Sequence, residues 1–227
     1  MNPMHIVFPL YPRVTQLDFT GPLEVLWRVP GVRLTLASVA GGELTADSGI
    51  TFAGLARLSQ IEALDAICVP GGAGVTAALG DADYLAQVRR LGQAARYVTS
   101  VCSGSLLLAA AGLLEGKRAA CHWSWRGLLA EQGVLADPAR VVRDGNVITG
   151  GGVTSGIDFA LSLAAELAGA EVAQEIQLAL EYDPAPGFDA GGPERAPAAV
   201  LARVQERVAQ FYPERRAALR AARLAGR

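Results

Sequence analysis

Short apolar runs alternate along this chain with longer segments in which apolar residues recur every three or four positions. The runs at 6–10, 34–39 and 67–69 are typical of buried strands, and the segments at 17–29 and 84–95 of amphipathic helices. Strands that are apolar on both faces indicate a parallel sheet with helices on each side. The pattern therefore predicts an α/β fold with a doubly wound, mostly parallel sheet, a flavodoxin-like sandwich that binds ligands at the carboxyl ends of its strands.

The second half of the chain continues this alternation. Residues 141–149 fit a hairpin, because an Asp-Gly pair between β-branched residues suits a tight type I′ turn. A long helix is predicted to run to about Ala168 with Thr154 or Ser155 as its N-cap, and a further helix spans 170–182.

The C-terminal part differs in composition. Residues 183–193 are rich in Pro and Gly and cannot be helical throughout, so they form an ordered arm or a tether. Residues 197–227 are helical in pattern and carry seven arginines. Because the rest of the chain is acidic, we expect this segment to be an amphipathic helix that packs on the body or on a second subunit, and not a nucleic-acid-binding element. We expect one domain, 1–182, with 183–227 as its helical C-terminal extension.

Composition narrows the functional classes. The 227 residues are 51% apolar, which is ample for a core, and a net charge of −2 provides no general basic surface for nucleic acid. Three cysteines without C-x-x-C spacing indicate neither a disulfide framework nor a zinc site. The chain lacks a signal-like N-terminus and any apolar run of about 20 residues, so we expect a soluble cytoplasmic protein without membrane contact.

Residues 97–106 carry the clearest chemical signal, because a β-branched run breaks at Cys102 and resumes as a small, apolar, helix-forming segment. Such a strand, elbow and helix present a side chain at the sheet edge and at a positive helix terminus. Backbone amides there favour a thiolate that can attack carbon, and the amides of Ser103 and Gly104 would face the charge that develops. The alternative is a buried cysteine that packs as a small hydrophobe.

A carboxylate near the first strand is the second candidate. Asp18 follows that strand and precedes Gly21 and Pro22, which are predicted to start a helix because proline fits a first turn. Loops after the first strand and after the Cys102 strand can converge on one crevice, where the carboxylate and the thiol could share a proton. The alternative makes Asp18 a helix cap or a partner of the helix dipole.

A glycine-rich turn follows the strand at 67–69. Its spacing is not that of a Walker or dinucleotide motif. Gly71 and Gly72 would allow backbone amides to approach a reacting centre opposite the Ser103 amide, although an ordinary tight turn is the alternative. Cys68, inside the strand, is expected to fill the core.

His122 is the rival catalytic residue, because it lies about twenty residues after Cys102, as a Cys-His dyad allows. It could instead bond backbone where a strand enters an aromatic-rich helix. Trp123 and Trp125 could line an apolar pocket, but two residues apart on a helix they cannot both face it. His5, in the first strand, is expected to be structural.

The order of these motifs resembles the ThiJ/PfpI superfamily, the cysteine branch of the class I glutamine amidotransferase-like fold, over residues 5–182. Within the superfamily the chain is most similar to bacterial isocyanide hydratases. The segments that carry this similarity are residues 16–22, 70–72, 99–105, 122–123, 150–152 and 156–160.

The resemblance implies a reaction and a site. Cys102 attacks the isocyanide carbon of R–N≡C, a thioimidate forms, and Asp18 alternates between acid and base until an N-substituted formamide is released. Ser103 occupies the position after the cysteine where these enzymes have Thr or Ser, and Thr20, His122 and Trp123 are candidate pocket residues. Burial beside a thiolate would raise the pKa of Asp18. The reaction needs no metal or organic cofactor, and relatives imply a homodimer.

Two other functional classes remain open. Transcriptional regulators of this fold share the stretch around Asp18 but add a helix-turn-helix module, for which too few residues follow Tyr182. A redox sensor, carbonyl-repair protein or amidase would also use a reactive cysteine at the elbow. Asp18, in place of the glutamate usual in the redox and repair branch, favours the hydratase.

Overall fold

The computed structural model of this chain describes residues 4–225. Short, mostly apolar segments form its strands. In chain order they are β1 (Met4–Pro9), β2 (Val32–Ser38), β3 (Gly42–Thr45), β4 (Thr51–Arg57), β5 (Ala66–Val69), β6 (Tyr97–Val101), β7 (Arg118–Ala120), β8 (Leu135–Asp137), β9 (Val141–Asp144) and β10 (Val147–Gly150).

Eight of these strands form one sheet in the order β3-β4-β2-β1-β5-β6-β10-β9, and β7 pairs with β8 beside it. The five central pairs, from β4-β2 to β6-β10, are parallel, whereas the two edge pairs are antiparallel. The side chains of β5 and β6 are buried throughout, because helices cover both faces. The predicted doubly wound α/β fold is confirmed.

The helices pack in two groups: α1 contacts α6, which contacts α7, while α2, α3 and α4 contact one another and α9 contacts α2 and α4. The helices are α1 (Leu17–Leu26), α2 (Val75–Gly80), α3 (Ala82–Ala94), α4 (Gly104–Ala110), α5 (Arg126–Ala130), α6 (Ser155–Ala168), α7 (Ala170–Ala179), α8 (Ala198–Ala209) and α9 (Tyr212–Ala225). Among the described residues, no helix is long and apolar enough to cross a bilayer.

Two local predictions are wrong. The hairpin exists, but Asp144 pairs with Val147, so its turn is Gly145-Asn146 and not Asp144-Gly145. Gly145 alone of these two has a positive φ, 62°, as the first central residue of a type II′ turn does. Helix α1 begins at Leu17, which places Pro22 inside the helix and not at its start.

The N-cap of α6 and the edge strands β3 and β4 also differ from what the sequence pattern predicts. Thr154 occupies the N-cap position of α6, but its hydroxyl makes no capping bond and accepts a hydrogen bond from Arg140 instead. Strands β3 and β4 lie at the sheet edge with most side chains exposed or half-buried, so they lack the apolar run that marks the inner strands.

The C-terminal segment forms two helices, α8 and α9, where the pattern predicts one from 197 to 227, and residues 226–227 lie outside the described part. No residue of α8 is buried, whereas α9 packs against α2 and α4. Its buried residues, Arg215, Leu219 and Ala222, follow an i, i+4, i+7 spacing that defines its apolar face.

Candidate active site

Cys102 stands at the elbow between β6 and α4. Its φ of 60° lies in the left-handed region, which a residue with a side chain adopts only where its surroundings hold it there. The Cys102 N–H donates to the Gly150 carbonyl at 3.1 Å, and the Cys102 carbonyl accepts from the His122 N–H at 3.3 Å. A side chain at Gly104 would collide with the Val69 carbonyl oxygen, so glycine is required at the start of α4.

Asp18 lies fully buried in the first turn of α1. Its Oδ2 accepts a hydrogen bond of 2.8 Å from the Gly71 N–H, and its Oδ1 has no hydrogen-bond partner in the described part of the chain. Burial raises its pKa from 3.8 to about 7, and this rise is partly offset by the Gly71 N–H and by the Cys102 side chain. Gln16 occupies the N-cap position of α1, so Asp18 does not cap the helix.

Burial raises the pKa of the Cys102 thiol well above its ordinary value, and the charges of Asp18 and Cys121 add to the rise. The Ser103 amide acts in the opposite direction. This differs from the predicted thiolate, because α4 has only seven residues and its terminal amides do not compensate for burial. Cys102 and Asp18 therefore form a coupled pair, in which a negative charge on either group disfavours a negative charge on the other.

Gly71 and Gly72 serve the site differently from the prediction. Their amides are expected to donate to a reacting centre, but Gly71 N–H donates to Asp18 and Gly72 N–H donates to the Ser103 hydroxyl at 3.2 Å. A Cβ on Gly71 would lie 2.5 Å from the Ser103 nitrogen and 2.9 Å from Asp18 Oδ2. These glycines position Asp18 and Ser103, and the Ser103 and Gly104 amides at the start of α4 are the donors left for a reacting group.

A cavity of about 410 Å³ opens above the elbow and is lined by Cys102 and Ser103. Several further parts of the chain contribute its walls. Among them are the loop after β1, the turn that carries His122 and Trp125, and the N-terminal end of α9, while the loop after β5 with the start of α2 and the turn at Val153 complete the wall. Cys102 lines the cavity although only 7% of the residue is exposed.

His122 lines this cavity, as predicted for a pocket residue. Its Nδ1 lies 2.7 Å from the Ser124 hydroxyl. Burial, followed by the nearby charges of Arg126 and Arg215, lowers the pKa of His122, so the imidazole is neutral at neutral pH.

Two predicted pocket residues lie elsewhere. Trp123 does not line the cavity, whereas Trp125 does, stacked against Tyr212 of α9 with ring centroids 5.9 Å apart. Thr20 lines a separate groove and donates to the Gln16 carbonyl. Because each helical residue turns about 100°, Thr20 points away from the side of α1 that carries Asp18.

Arg215 is the lining residue that the sequence interpretation missed. Its guanidinium carbon lies 4.1 Å from the centre of the Trp125 ring, and burial lowers its pKa. The signal that could have found it is the i, i+4, i+7 spacing with Leu219 and Ala222, which puts an arginine on the apolar face of α9. Within residues 4–225, no group of three or more His, Cys, Asp or Glu side chains is placed to hold a metal ion.

Similarity to known proteins covers most of the chain. The model of the DJ-1/PfpI family matches residues 4–166. Over 206 residues the chain is 49% identical to the isonitrile hydratase of Pseudomonas putida, an alignment that spans 91% of this chain and 90% of that protein.

Solved structures lead to the same group of proteins. The crystal structure of a ThiJ/PfpI family protein from Pseudomonas syringae superimposes with a TM-score of 0.93 at 41% identity, over 96% of this chain and 91% of that one. Drosophila melanogaster DJ-1beta superimposes with a TM-score of 0.72 at 27% identity, over 78% and 97% of the two chains.

Proposed function

This chain belongs to the DJ-1/PfpI family, and we propose that within it the protein is an isocyanide hydratase, which converts R–N≡C and water into an N-substituted formamide. The similarity to the Pseudomonas putida isonitrile hydratase, whose name denotes this activity, supports the reaction. The observation that carries the proposal is the buried Asp18 carboxyl beside the Cys102 thiol, because a pair that shares one proton supplies both the nucleophile and the acid that hydration needs.

The first step inserts the terminal isocyanide carbon into the S–H bond of Cys102. Sulfur forms the C–S bond while Asp18 carries the thiol proton to the same carbon, and the product is the thioimidate R–N=CH–S–Cys102. A proton that rests on sulfur at the start suits this step, since the reaction consumes that proton at carbon. The raised pKa values of both groups keep one proton on the pair at neutral pH.

The second step hydrolyses the thioimidate. Asp18, now a carboxylate, takes a proton from a water molecule while the water oxygen adds to the thioimidate carbon. That proton then passes to the nitrogen, which gives R–NH–CH(OH)–S–Cys102. The C–S bond then breaks, sulfur takes the hydroxyl proton, and R–NH–CHO leaves. Ser103 and Gly104 amides face the sulfur side of this centre and favour negative charge there.

His122 is proposed as a wall of the pocket and not as the proton carrier. Its lowered pKa keeps it neutral, and its Nδ1 is engaged with Ser124. Asp18 has an oxygen without a partner and a pKa of about 7, which suits a group that both accepts and donates a proton near neutral pH.

The redox-sensor alternative makes a different demand on Cys102. A sensor cysteine reacts with peroxide as a thiolate, whereas burial and the charge of Asp18 raise the pKa of this thiol and so disfavour that form. The proposal also retains, from the family resemblance, the expectation that the enzyme is a cytoplasmic homodimer. Sedimentation of the purified protein tests whether it is a dimer.

Formamide production from an alkyl or aryl isocyanide tests the proposed function. We expect turnover by the wild type and its loss in both Cys102→Ala and Asp18→Asn, with Cys68→Ala as the control because Cys68 lies in β5 away from the cavity. Inert wild-type protein would refute the hydratase. Activity that survives in Asp18→Asn would instead assign proton transfer to His122.

A further inference from the structure

Arg215 is a buried cation, and the carboxylate that acts on its charge through space, Glu214, lies exposed beside it in the chain. The side chain is 4% exposed, and within residues 4–225 no carboxylate forms an ion pair with it. Charged side chains are almost never buried in this way unless they are paired, because removal from water disfavours the charge. A buried arginine that has only neutral partners therefore calls for a ligand.

The neutral partners of Arg215 use only part of its guanidinium. Nε donates to the Thr76 hydroxyl at 3.1 Å, and Nη2 donates to the Gly72 and Ala73 carbonyls at 3.3 and 3.4 Å. Trp125 covers one face of the group. Nη1, which carries two further N–H donors, has no acceptor in the described part of the chain.

The guanidinium lines the same cavity as the Cys102 sulfur. The other charged lining residues are Arg13 and Glu214, and both are exposed, whereas Arg215 is buried. The buried part of the wall therefore carries a single positive charge, on a guanidinium that lies over the Trp125 ring. A cavity of about 410 Å³ holds an aromatic ring together with an isocyanide and an acidic substituent.

We propose that Arg215 forms an anion subsite, and that the preferred substrates are isocyanides that carry a carboxylate. This inference rests on the proposed function. The isocyanide carbon meets Cys102 while the carboxylate accepts hydrogen bonds from the free edge of Arg215. The Thr76 hydroxyl on Nε and the two carbonyls on Nη2 hold that edge in place before the substrate arrives, so little side-chain entropy is lost on binding.

Paired substrates test the subsite. We would measure kcat and KM for isocyanoacetate, 3-isocyanobenzoate and 4-isocyanobenzoate, each against its methyl ester, with wild type, Arg215→Met and Arg215→Lys. A charge-assisted hydrogen bond predicts that Arg215→Met lowers kcat/KM for an acid by roughly 10- to 100-fold, mainly through KM, and leaves its ester within about threefold. Arg215→Lys restores part of the preference because it keeps the charge.

Arg216→Met is the matched control, because Arg216 lies next on the same helix and pairs with Glu131 outside the cavity. It should leave both substrate classes unchanged. If Arg215→Met lowers acid and ester turnover by the same factor, Arg215 only supports the 72–76 loop and the inference is wrong. An equal preference for acid and ester in the wild type would also overturn it.

A binding measurement separates failure of the subsite from failure of the hydratase. Calorimetric titration of the wild-type protein and of Arg215→Met with benzoate and benzamide needs no turnover. We expect benzoate to bind at least tenfold more tightly than benzamide, and Arg215→Met to remove the difference. Equal affinities contradict the subsite even if isocyanides are hydrated, whereas selective benzoate binding by a protein inert toward isocyanides refutes only the proposed function.

Discussion

The Gly71 N–H donates a hydrogen bond of 2.8 Å to Oδ2 of Asp18, although 53 residues separate them in the chain. The bond joins the loop after β5 to the first turn of α1. The same glycine also lies against Ser103, next to Cys102, so closely that a Cβ on it would meet both Ser103 and Asp18. One residue without a side chain thus sets the spacing between the carboxyl and the elbow.

Replacement of Gly71 by Ala should impair catalysis. The new Cβ would lie 2.5 Å from the Ser103 nitrogen and 2.6 Å from its Oγ, so the elbow and Asp18 must move apart. Misplacement of reacting groups by about 1 Å costs roughly 100-fold in rate, and we expect kcat to fall by at least that factor. Gly80→Ala is the control, because a Cβ there meets nothing within 4 Å. Wild-type kcat in Gly71→Ala would show that this spacing is unimportant.

Activity should rise with pH through about 7. The reactive pair carries one proton, and below the Asp18 pKa of about 7 it carries two, so no base is present to take the thiol proton. A plot of kcat/KM against pH should fall about tenfold per unit below that value and level off above it. His122→Gln should keep the same profile. Loss of the rise in that variant would make His122 the titrating group.

The buried carboxyl of Asp18 should cost stability at high pH. Its folded-state pKa is raised from 3.8 to about 7, so the native state binds the proton more tightly, and this contribution is lost as pH rises from about 4 to 7. Asp18→Asn does not titrate and its amide oxygen can still accept from Gly71. In urea unfolding, the free energy of unfolding of the variant should increase relative to that of the wild type by up to about 4 kcal/mol between pH 4 and pH 8. A pH-independent difference would contradict the raised pKa.

Docking of α9 on the body should contribute to global stability, as expected if residues 183–227 belong to the same folding unit. Leu219 is fully buried, and truncation to Ala should cost about 2–5 kcal/mol in the free energy of unfolding. Leu224, 75% exposed on the same helix, provides the control, and Leu224→Ala should change that energy by less than about 0.5 kcal/mol. Equal effects would mean that α9 does not fold with the core.

The elbow and the Asp18–Cys102 pair were accessible from sequence for different reasons. The elbow is a local feature, since β-branched residues up to Val101 and small residues after Cys102 specify strand and helix by themselves. The pairing of Asp18 with Cys102 follows from topology, because parallel strands β1 and β6 end at the same sheet edge. Neither inference needs a side-chain orientation.

Orientation and distant contacts escaped prediction. Thr20 was assigned to the pocket from the resemblance of its motif alone, whereas the direction of its side chain depends on the turn of α1, which begins at Leu17. Arg215 was missed as a site residue because its partners lie 139 to 143 positions away and only the folded chain brings them together. The raised pKa of the Cys102 thiol was not anticipated either, because the burial that raises it depends on all the elements packed around the elbow.

Covalent catalysis by Cys102 is the central claim, and mass spectrometry during turnover tests it most directly. Wild-type protein mixed with excess isocyanide and quenched in acid within milliseconds should gain the mass of one whole substrate, and peptide mapping should find it on Cys102. The Cys102→Ala variant should show no adduct and no formamide. Formamide formation by Cys102→Ala, or an adduct confined to Cys68 or Cys121, would contradict the account.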